Sequence, residues 1–487
     1  MALKRSLAWM GIAQVASFAV QFAASVIVAR YLTPHEMGIY AAAAALVGAL
    51  AIVQALGLQS LIVREELLTP EVRATAFTIN AIISICLSAL IAGVSLVGGA
   101  FIKEVGIERA LLALSVGPLI AIFGFLPAAT LERNGQFRAM SIASTVSGVL
   151  TATATITLAM RGYSYMSIAY ASWVAGVAYT LIINLFGWRH ASFRVGFSAW
   201  RRVTDFGLQM LAVSGVNSLT TRLSELAIGR LLGLSALGIY GRASNLNGLI
   251  WNNIHLVAGR VLFVDFADLN RRGVPIRERY LRTVEITSAV LWPAFGGLAL
   301  LAGPFILNVY GARWLPAAAP LALLAIASML QVASTLTWEL FAATGNLRVQ
   351  TRVEFMRCLL SLSAFVIGCS ISLTAAAAAR VLDAVIAFLL YRPHLNRMTQ
   401  TVLTDFVPIY ARSLLLTALA LGPPGWLMAS VHFSPRAPLS LALVSIVLGG
   451  ALWVSGLIFL NHPLMQEARA TIGNLARWRR GEAGNPV

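Results

Sequence analysis

The sequence predicts an all-α integral membrane protein of about fourteen transmembrane helices, and three observations support this. The chain is 59% hydrophobic and only 11% charged, whereas soluble globular proteins carry roughly 25% charged residues. Its 487 residues accommodate roughly 12 to 14 helices at about 20 residues per span. An internal repeat, described below, divides these helices into two six-helix bundles that are followed by two further helices.

Apolar segments separated by charged loops define the expected spans. They lie near residues 7–29, 37–63, 74–102, 110–131, 139–160, 164–188, 206–229, 237–263, 283–309, 317–343, 354–373, 375–391, 407–430 and 438–460. The first segment is too long for the apolar core of a signal peptide, so we expect it to be retained as a span. The expected domains are an N-terminal bundle (1–188), a basic cytoplasmic linker (189–205), a C-terminal bundle (206–392), and two extra helices with a basic tail (393–487).

The net charge of +17 would favour nucleic acid as a partner of a soluble protein. In a membrane protein the same excess is typical of cytoplasmic loops, so we expect no nucleic-acid partner. When the loops are assigned alternately from an inward N-terminus, the inner set holds far more Arg and Lys than the outer set. This asymmetry predicts that both termini lie in the cytoplasm. All outer loops are short, which leaves no room for an extramembrane catalytic domain.

The internal repeat joins the two halves at an offset of 200 residues. Ala29–Tyr40 reads ARYLTPHEMGIY and Gly229–Tyr240 reads GRLLGLSALGIY, so Arg, Leu and Gly-Ile-Tyr recur. A second match relates Asn134–Arg138 (NGQFR) to Thr344–Arg348 (TGNLR). Six spans separate the copies, and an even number inserts both halves in the same orientation. Parallel repeats of this kind are typical of transporters that bind substrate between their halves.

The stretch from Arg222 to Arg260 is polar where an apolar span is expected. Ionisable groups at membrane depth are costly and persist where they face protein or a wet cavity. On an α-helix, one narrow stripe collects four of these side chains and is flanked by Asn252; the four are Arg242, Asn245, Asn253 and Arg260. Arg222 and Glu225 lie one turn apart and can pair. The stretch therefore predicts one wall of a polar, net cationic cavity.

These residues resemble a known family. Several segments are similar to the seventh and eighth helices of Wzx-type polysaccharide flippases and to the loops around them. These segments are Phe206-Gly207, Glu225–Gly233 (ELAIGRLLG), Leu237–Ala243 (LGIYGRA), Tyr310–Trp314 (YGARW) and Thr344–Arg348. More narrowly, the chain is similar to the branch that exports exopolysaccharide and colanic-acid-like repeat units. That family belongs to the multidrug/oligosaccharidyl-lipid/polysaccharide (MOP) exporter superfamily, which implies a MATE-like fold.

The resemblance implies a function and shows two departures. It implies a bacterial inner-membrane flippase that moves undecaprenyl-pyrophosphate-linked oligosaccharide from the cytoplasmic to the periplasmic leaflet, with a polysaccharide polymerase and other assembly proteins as further partners. The family usually places Asp at the position of Glu225 and often Pro at that of Val264. Both departures affect the expected shape of the cavity.

A diphosphate and its sugars need donors that replace lost hydration, and Arg binds phosphate in a bidentate manner. The expected substrate-binding residues are Arg222, Arg242, Asn245, Asn252, Asn253, Arg260, Arg357 and Arg380. Structural alternatives stay open for several of them. Arg260 and Arg357 lie near inner span ends, where side chains snorkel. Arg380 with Asp383, and Arg222 with Glu225, equally fit structural ion pairs.

Ion coupling requires a buried carboxylate that changes its protonation or ligation state. The sequence offers Glu225 and Asp383 for this role, and neither H⁺ nor Na⁺ is favoured. Arg222 would lower the pKa of Glu225. No metal or other cofactor is expected, and the three cysteines lack metal-ligand spacing.

Two other classes remain as rivals. A small-molecule efflux antiporter of the same superfamily would carry acidic residues on its first helix, and this chain does not. A membrane polysaccharide polymerase or glycosyltransferase would carry a large basic outer loop or an acidic pair in the first outer loop, where only Glu36 is present. The protein is therefore expected not to be an enzyme. A scaffold role, in which basic inner loops dock partner synthases, also remains open.

Overall fold

A computed structural model describes residues 19–55, 57–64, 68–97, 104–188, 194–334 and 337–467. Within these ranges the chain is helical and contains no strand. The predicted all-α class is confirmed.

In the described ranges, nine α-helices precede the turn at Gly233. They are α1 (described from Ala19 to Tyr31), α2 (Pro34–Leu50), α3 (Leu58–Arg64), α4 (Pro70–Val97), α5 (Val105–Leu114), α6 (Val116–Arg133), α7 (Phe137–Met160), α8 (Met166–Gly187) and α9 (Trp200–Leu231).

Nine more helices follow that turn. They are α10 (Leu234–Arg271), α11 (Arg277–Leu300), α12 (Ala302–Tyr310), α13 (Ala318–Gln331), α14 (Thr337–Ala343), α15 (Leu347–Ile371), α16 (Leu373–Thr399), α17 (Phe406–Ser430) and α18 (Leu439–Phe459). A tight turn separates α9 from α10, and Gly233 adopts φ +90° within it. Glycine tolerates this left-handed conformation.

Every predicted span contains helix in the described residues, but not every helix is apolar enough to count as a span. Ten segments are long and apolar enough to cross a membrane. The remaining four positions hold α1, the interrupted pair α2 and α3, and the long polar helices α9 and α10. The protein is therefore a multi-pass membrane protein, and the count of fourteen stays a prediction.

The chain forms two compact units. Unit 1 comprises Met1–Arg242 and Glu354–Ala376, and unit 2 comprises Ala243–Val353 and Ala377–Val487. These units are defined by contacts in the folded chain, whereas the predicted domains, which end at residues 188, 205 and 392, were defined by the repeat. Those domain boundaries stay a prediction. The last boundary falls inside α16, which continues past Pro393 to Thr399.

In unit 1, the two copies of the Gly-Ile-Tyr repeat meet at a close crossing of α2 and α10. A Cβ added to Gly38 would lie 1.8 Å from the carbonyl oxygen of Leu234, and one added to Gly238 would lie 2.0 Å from that of Pro34. Each contact is the other shifted by 200 residues. The repeat glycines therefore let two helix backbones touch, which any side chain would prevent.

Capping fixes the entry to α2 at this crossing. Thr33 and Glu36 form a reciprocal capping box, in which the Thr33 N–H donates to Glu36 Oε2 at 2.7 Å and the Glu36 N–H donates to Thr33 Oγ1 at 3.2 Å. Ser164, between α7 and α8, also donates its hydroxyl to Glu36. These bonds satisfy helix-terminal donors and hold the start of α2 against the α7–α8 connection.

Candidate functional site

The first candidate group is the Arg222–Glu225 pair on α9. Arg222 Nη1 donates to Glu225 Oε2 at 2.9 Å, and the two side chains are 39% and 29% exposed. Gly48 of α2 makes room for the arginine, because a Cβ there would lie 2.4 Å from Arg222 Nε. The predicted pairing across one helical turn is confirmed, and the pair is only partly shielded from the surroundings.

A second pair with the same spacing lies on α15. Arg357 donates from Nε and Nη2 to the two carboxylate oxygens of Glu354, at 3.1 and 2.7 Å. This fork-to-fork geometry is the strong form of the interaction. The Arg357 side chain is 11% exposed and that of Glu354 is 20% exposed. Arg357 therefore bonds within the protein and does not snorkel to the interface.

The two pairs lie on neighbouring helices of unit 1. Thr220, half a turn before Arg222 on α9, lies beside the thiol of Cys358, which follows Arg357 on α15. Cys358 is buried and its sulfur is 3.7 Å from Glu354 Oε1. Two guanidinium groups and two carboxylates are thus brought to the same two helices. Within this group of four, every positive charge has a negative partner.

Arg242, another expected substrate ligand, lies in the interior of unit 1. It is 4% exposed, donates to Ser25 Oγ of α1 at 2.5 Å, and has Nη2 2.8 Å from the sulfur of Met37 on α2. The side chain connects three helices near the glycine crossing. In this conformation a substrate reaches Arg242 only if these helices move apart.

The expected residues of unit 2 are described separately. Asp383 is 7% exposed and Arg380, three residues earlier on α16, is partly buried. Each makes interactions within the protein, so a structural role for both stays open. Asn245 is exposed at the surface of its unit. The side chains of Asn252, Asn253 and Arg260 lie outside the described residues, and only their backbone positions on α10 are known.

Sequence reasoning missed three acids within spans. Glu285 and Glu339 are 8% and 6% exposed, and Glu354 holds Arg357. The structure therefore offers further shielded acids besides Glu225 and Asp383, whose coupling role stays a prediction. Glu354 carried a usable signal, the same three-residue spacing that revealed Glu225. Glu285 carried none, since its partner Arg412 (Nη1–Oε1 3.2 Å) is 127 residues away.

Ten helical segments of the described residues are long and apolar enough to cross a bilayer, which defines a multi-pass helical membrane protein. The chain belongs to the polysaccharide biosynthesis protein family, whose model matches residues 27–319.

Two characterised relatives are similar over part of their length. The teichuronic acid biosynthesis protein TuaB of Bacillus subtilis is 27% identical over 289 residues, which is 59% of each chain. The succinoglycan biosynthesis transport protein ExoT of Rhizobium meliloti is 26% identical over 328 residues, 66% of this chain and 65% of that one. The chain thus spans just under two thirds of the length of these relatives.

A solved structure matches more of the chain. The lipid II flippase MurJ, in an inward closed conformation, superposes with a TM-score of 0.76 at 14% identity and covers 93% of this chain and 99% of its own. At that identity the match shows the fold alone. The chain thus has a MurJ-like helical fold, in agreement with the predicted fold class.

Proposed function

We propose that the protein is a flippase that moves polyprenyl-pyrophosphate-linked oligosaccharide repeat units from the cytoplasmic to the periplasmic leaflet for polysaccharide export. Family membership, the flippase fold and relatives named for polysaccharide biosynthesis and transport support this proposal. The observation that carries it is the presence of two arginine–glutamate pairs on adjacent helices, α9 and α15. Arginine side chains within the membrane offer hydrogen-bond donors and positive charge that replace the hydration lost by a pyrophosphate when it leaves water.

The physical problem is desolvation of the head group. Moving a doubly charged diphosphate and a polar glycan across ~30 Å of hydrocarbon is prohibitive without compensating donors. Arg222 and Arg357 are already ordered by Glu225 and Glu354, so substrate phosphate exchanges one anionic partner for another. Arg242, Asn245, Asn252, Asn253, Arg260 and Arg380 complete the proposed set.

Ion coupling follows from that exchange. A proton or Na⁺ that neutralises Glu225 releases Arg222 for substrate, and loss of the cation returns the arginine to its carboxylate. Asp383 is the second proposed coupling acid, in unit 2. Ion binding and substrate binding are then linked through one guanidinium, with no added cofactor.

The proposal includes cellular placement. The protein lies in the bacterial inner membrane with both termini in the cytoplasm. Its basic inner loops, including Arg271 and Arg272 after α10, are the surfaces proposed for contact with polymerase and other assembly proteins.

Deletion of the gene in its own host tests the function. We expect lipid-linked repeat units to accumulate on the cytoplasmic leaflet and polysaccharide export to cease, with recovery on complementation. Unchanged leaflet distribution with intact export contradicts the flippase assignment. Altered efflux of small cations instead would favour an antiporter.

Substitutions on α9 test the mechanism in the complemented strain. Arg222→Gln should reduce export at least tenfold, because a charge-assisted bond to phosphate is worth about 1.5–3 kcal/mol. Arg230→Gln, at the exposed outer end of the same helix, is the matched control and should export normally. Glu225→Gln should remove the pH dependence of transport, while Glu225→Asp keeps it. Wild-type pH dependence in Glu225→Gln excludes Glu225 as the coupling acid.

A further inference from the structure

A buried arginine of unit 2 has no described carboxylate in contact with its guanidinium. Arg392, near the end of α16, is 5% exposed, and none of the described residues accepts a hydrogen bond from Nε, Nη1 or Nη2. Its guanidinium lies over the ring of Phe406, the first residue of α17, at 3.6 Å from the centroid. This arginine differs from Arg222 and Arg357, each of which is held by a carboxylate.

Two tyrosine side chains have their hydroxyl groups close to the Arg392 guanidinium. Tyr280 of α11 is fully buried and Tyr410 of α17 is partly buried. The Tyr280 hydroxyl lies near hydrogen-bonding distance of the Arg392 guanidinium, but neither hydroxyl makes a hydrogen bond of full geometry to a described residue. Both hydroxyls are close enough to Arg392 to interact with its charge. The rings pack edge to face with, or tilted against, Phe406 at centroid distances of 6.0 and 5.8 Å. Three polar ends therefore converge inside an aromatic cluster.

The nearby carboxylate does not neutralise this arginine by direct contact. Asp405, adjacent to Phe406, accepts from Arg277 Nη2 at 2.8 Å and from the Val402 N–H at 2.9 Å. Asp405 acts on Arg392 only through space, so Arg277, Arg392 and Asp405 together retain one positive charge. A buried guanidinium without hydrogen bonds or a contacting counter-charge is strongly unfavourable.

We propose that Arg392, Tyr280 and Tyr410 form a binding site for an oxyanion of the phosphate class, at the junction of α11, α16 and α17. A planar guanidinium offers paired donors that match two phosphate oxygens, and the two hydroxyls donate to the others. Water would satisfy the donors but would leave the charge uncompensated in a low-dielectric interior. Two sources supply this chemistry, inorganic phosphate and the phosphodiester of an anionic phospholipid. The site belongs to unit 2, whereas the α9–α15 pairs belong to unit 1, and it does not depend on the proposed transport function.

Thermal unfolding of the purified full chain tests the site. In detergent and chloride-free buffer, low-millimolar phosphate should raise Tm with the logarithm of its concentration, because a ligand of the native state stabilises it by mass action. In nanodiscs, phosphatidylglycerol should raise Tm relative to phosphatidylcholine if the lipid is the source. Arg392→Gln should abolish the responding shift and Tyr280→Phe should weaken apparent affinity at least threefold. Arg397→Gln, which removes an exposed charge five residues on, should respond as wild type.

The outcomes separate the alternatives. A response to phosphate or to phosphatidylglycerol that is lost in Arg392→Gln supports the site and identifies its source. Chloride acting as strongly as phosphate overturns the oxyanion class. Arg392→Met distinguishes the two cases by the direction of the Tm change. If an anion is bound, the substitution should lower the Tm of the anion-saturated protein. If no anion binds, the substitution removes an uncompensated buried charge and should raise Tm. Equal or higher Tm in Arg392→Met, with no ligand response in wild type, overturns the proposal.

Discussion

At the scale of single residues, glutamate partners determine how arginines are held within the spans. Arg222, Arg357 and Arg412 each bond a glutamate, at 2.9, 2.7 and 3.2 Å at the closest atoms. Pairing keeps a guanidinium ordered inside a helix bundle, and removal of one partner leaves the other charge exposed to an unfavourable medium. The pairs are therefore sites where one substitution has a large effect.

Glu354→Gln tests this at the best-shielded pair. The amide cannot balance the charge of Arg357, so the free energy of unfolding should fall by about 3 kcal/mol. Thermal or denaturant unfolding of the purified protein measures the change. The double variant Glu354→Gln/Arg357→Met should recover most of the loss. Wild-type stability in the single variant would mean that other groups compensate Arg357.

His462, directly after α18, should make stability depend on pH. Its side chain is fully buried, 3.8 Å from Glu285 with Arg412 on the same carboxylate. Burial lowers the pKa of His462 below its ordinary value of 6.5 and Arg412 lowers it further, while Glu285 opposes them. The folded state thus binds this proton less readily than the unfolded state.

The sign follows from linkage. The stabilising contribution of neutral His462 is present above pH 6.5 and is lost as pH falls below it, by up to about 1.4 kcal/mol per pH unit. Unfolding measured between pH 7.5 and 5 checks this. His462→Gln should flatten that part of the profile, and an unchanged slope would assign the dependence to other groups.

At the scale of helices, α2 and α10 cross with their backbones in direct contact. Among the described glycines of unit 1, Gly38 and Gly238 leave the least room for an added Cβ. Backbone carbonyls occupy the space that a side chain at Gly38 or Gly238 would need. A carbonyl within a helix cannot rotate away as a flexible side chain does. The close packing at this crossing therefore requires that positions 38 and 238 carry only a hydrogen atom as side chain.

Gly238→Ala should destabilise the protein by about 1–3 kcal/mol or more, because overpacking forces the backbones apart. Gly241→Ala is the matched control on the same helix, since a Cβ there meets nothing within 4 Å. The control should be neutral or slightly stabilising, because alanine favours helix over glycine. Thermal unfolding compares the two, and equal effects would contradict the close crossing.

Particular helices show how far the sequence alone predicts this fold. Hydropathy and loop charge identified the helical class, because both depend on local sequence. The Arg222–Glu225 pair was predictable from spacing, and Glu354–Arg357 would have been by the same rule. The Glu285–Arg412 pair and the Arg392 cluster were not, because α11, α16 and α17 come together only in the folded chain. The repeat predicted two equivalent copies, but not that their glycines touch.

At the scale of the whole molecule, loop charge predicts orientation. The end of α10 and the loop after it carry Arg271 and Arg272, which bond Asp268 at 3.4 and 2.9 Å and are largely exposed. The connection between α17 and α18 carries the single exposed Arg436 among its described residues. Basic residues concentrate on the cytoplasmic side, so these loops should lie on opposite faces of the membrane.

Cysteine labelling in intact cells checks this orientation. A cysteine introduced by Arg436→Cys should react with a membrane-impermeant maleimide from outside, and one introduced by Arg272→Cys only after permeabilisation. The parent chain, with its three native cysteines, provides the background. The opposite pattern would place both termini outside and reverse the proposed direction of transport.

The α2–α10 crossing restricts the motions open to unit 1. Sliding either helix by about one turn would replace its glycine at the contact by the residue four positions on along the same face, Ala42 for Gly38 or Arg242 for Gly238, whose Cβ would then meet a carbonyl oxygen. Turning about the point of contact meets no such obstacle, since only hydrogen atoms face the opposing backbone there. The crossing thus permits a change in the angle between the two helices but opposes translation of one helix along the other.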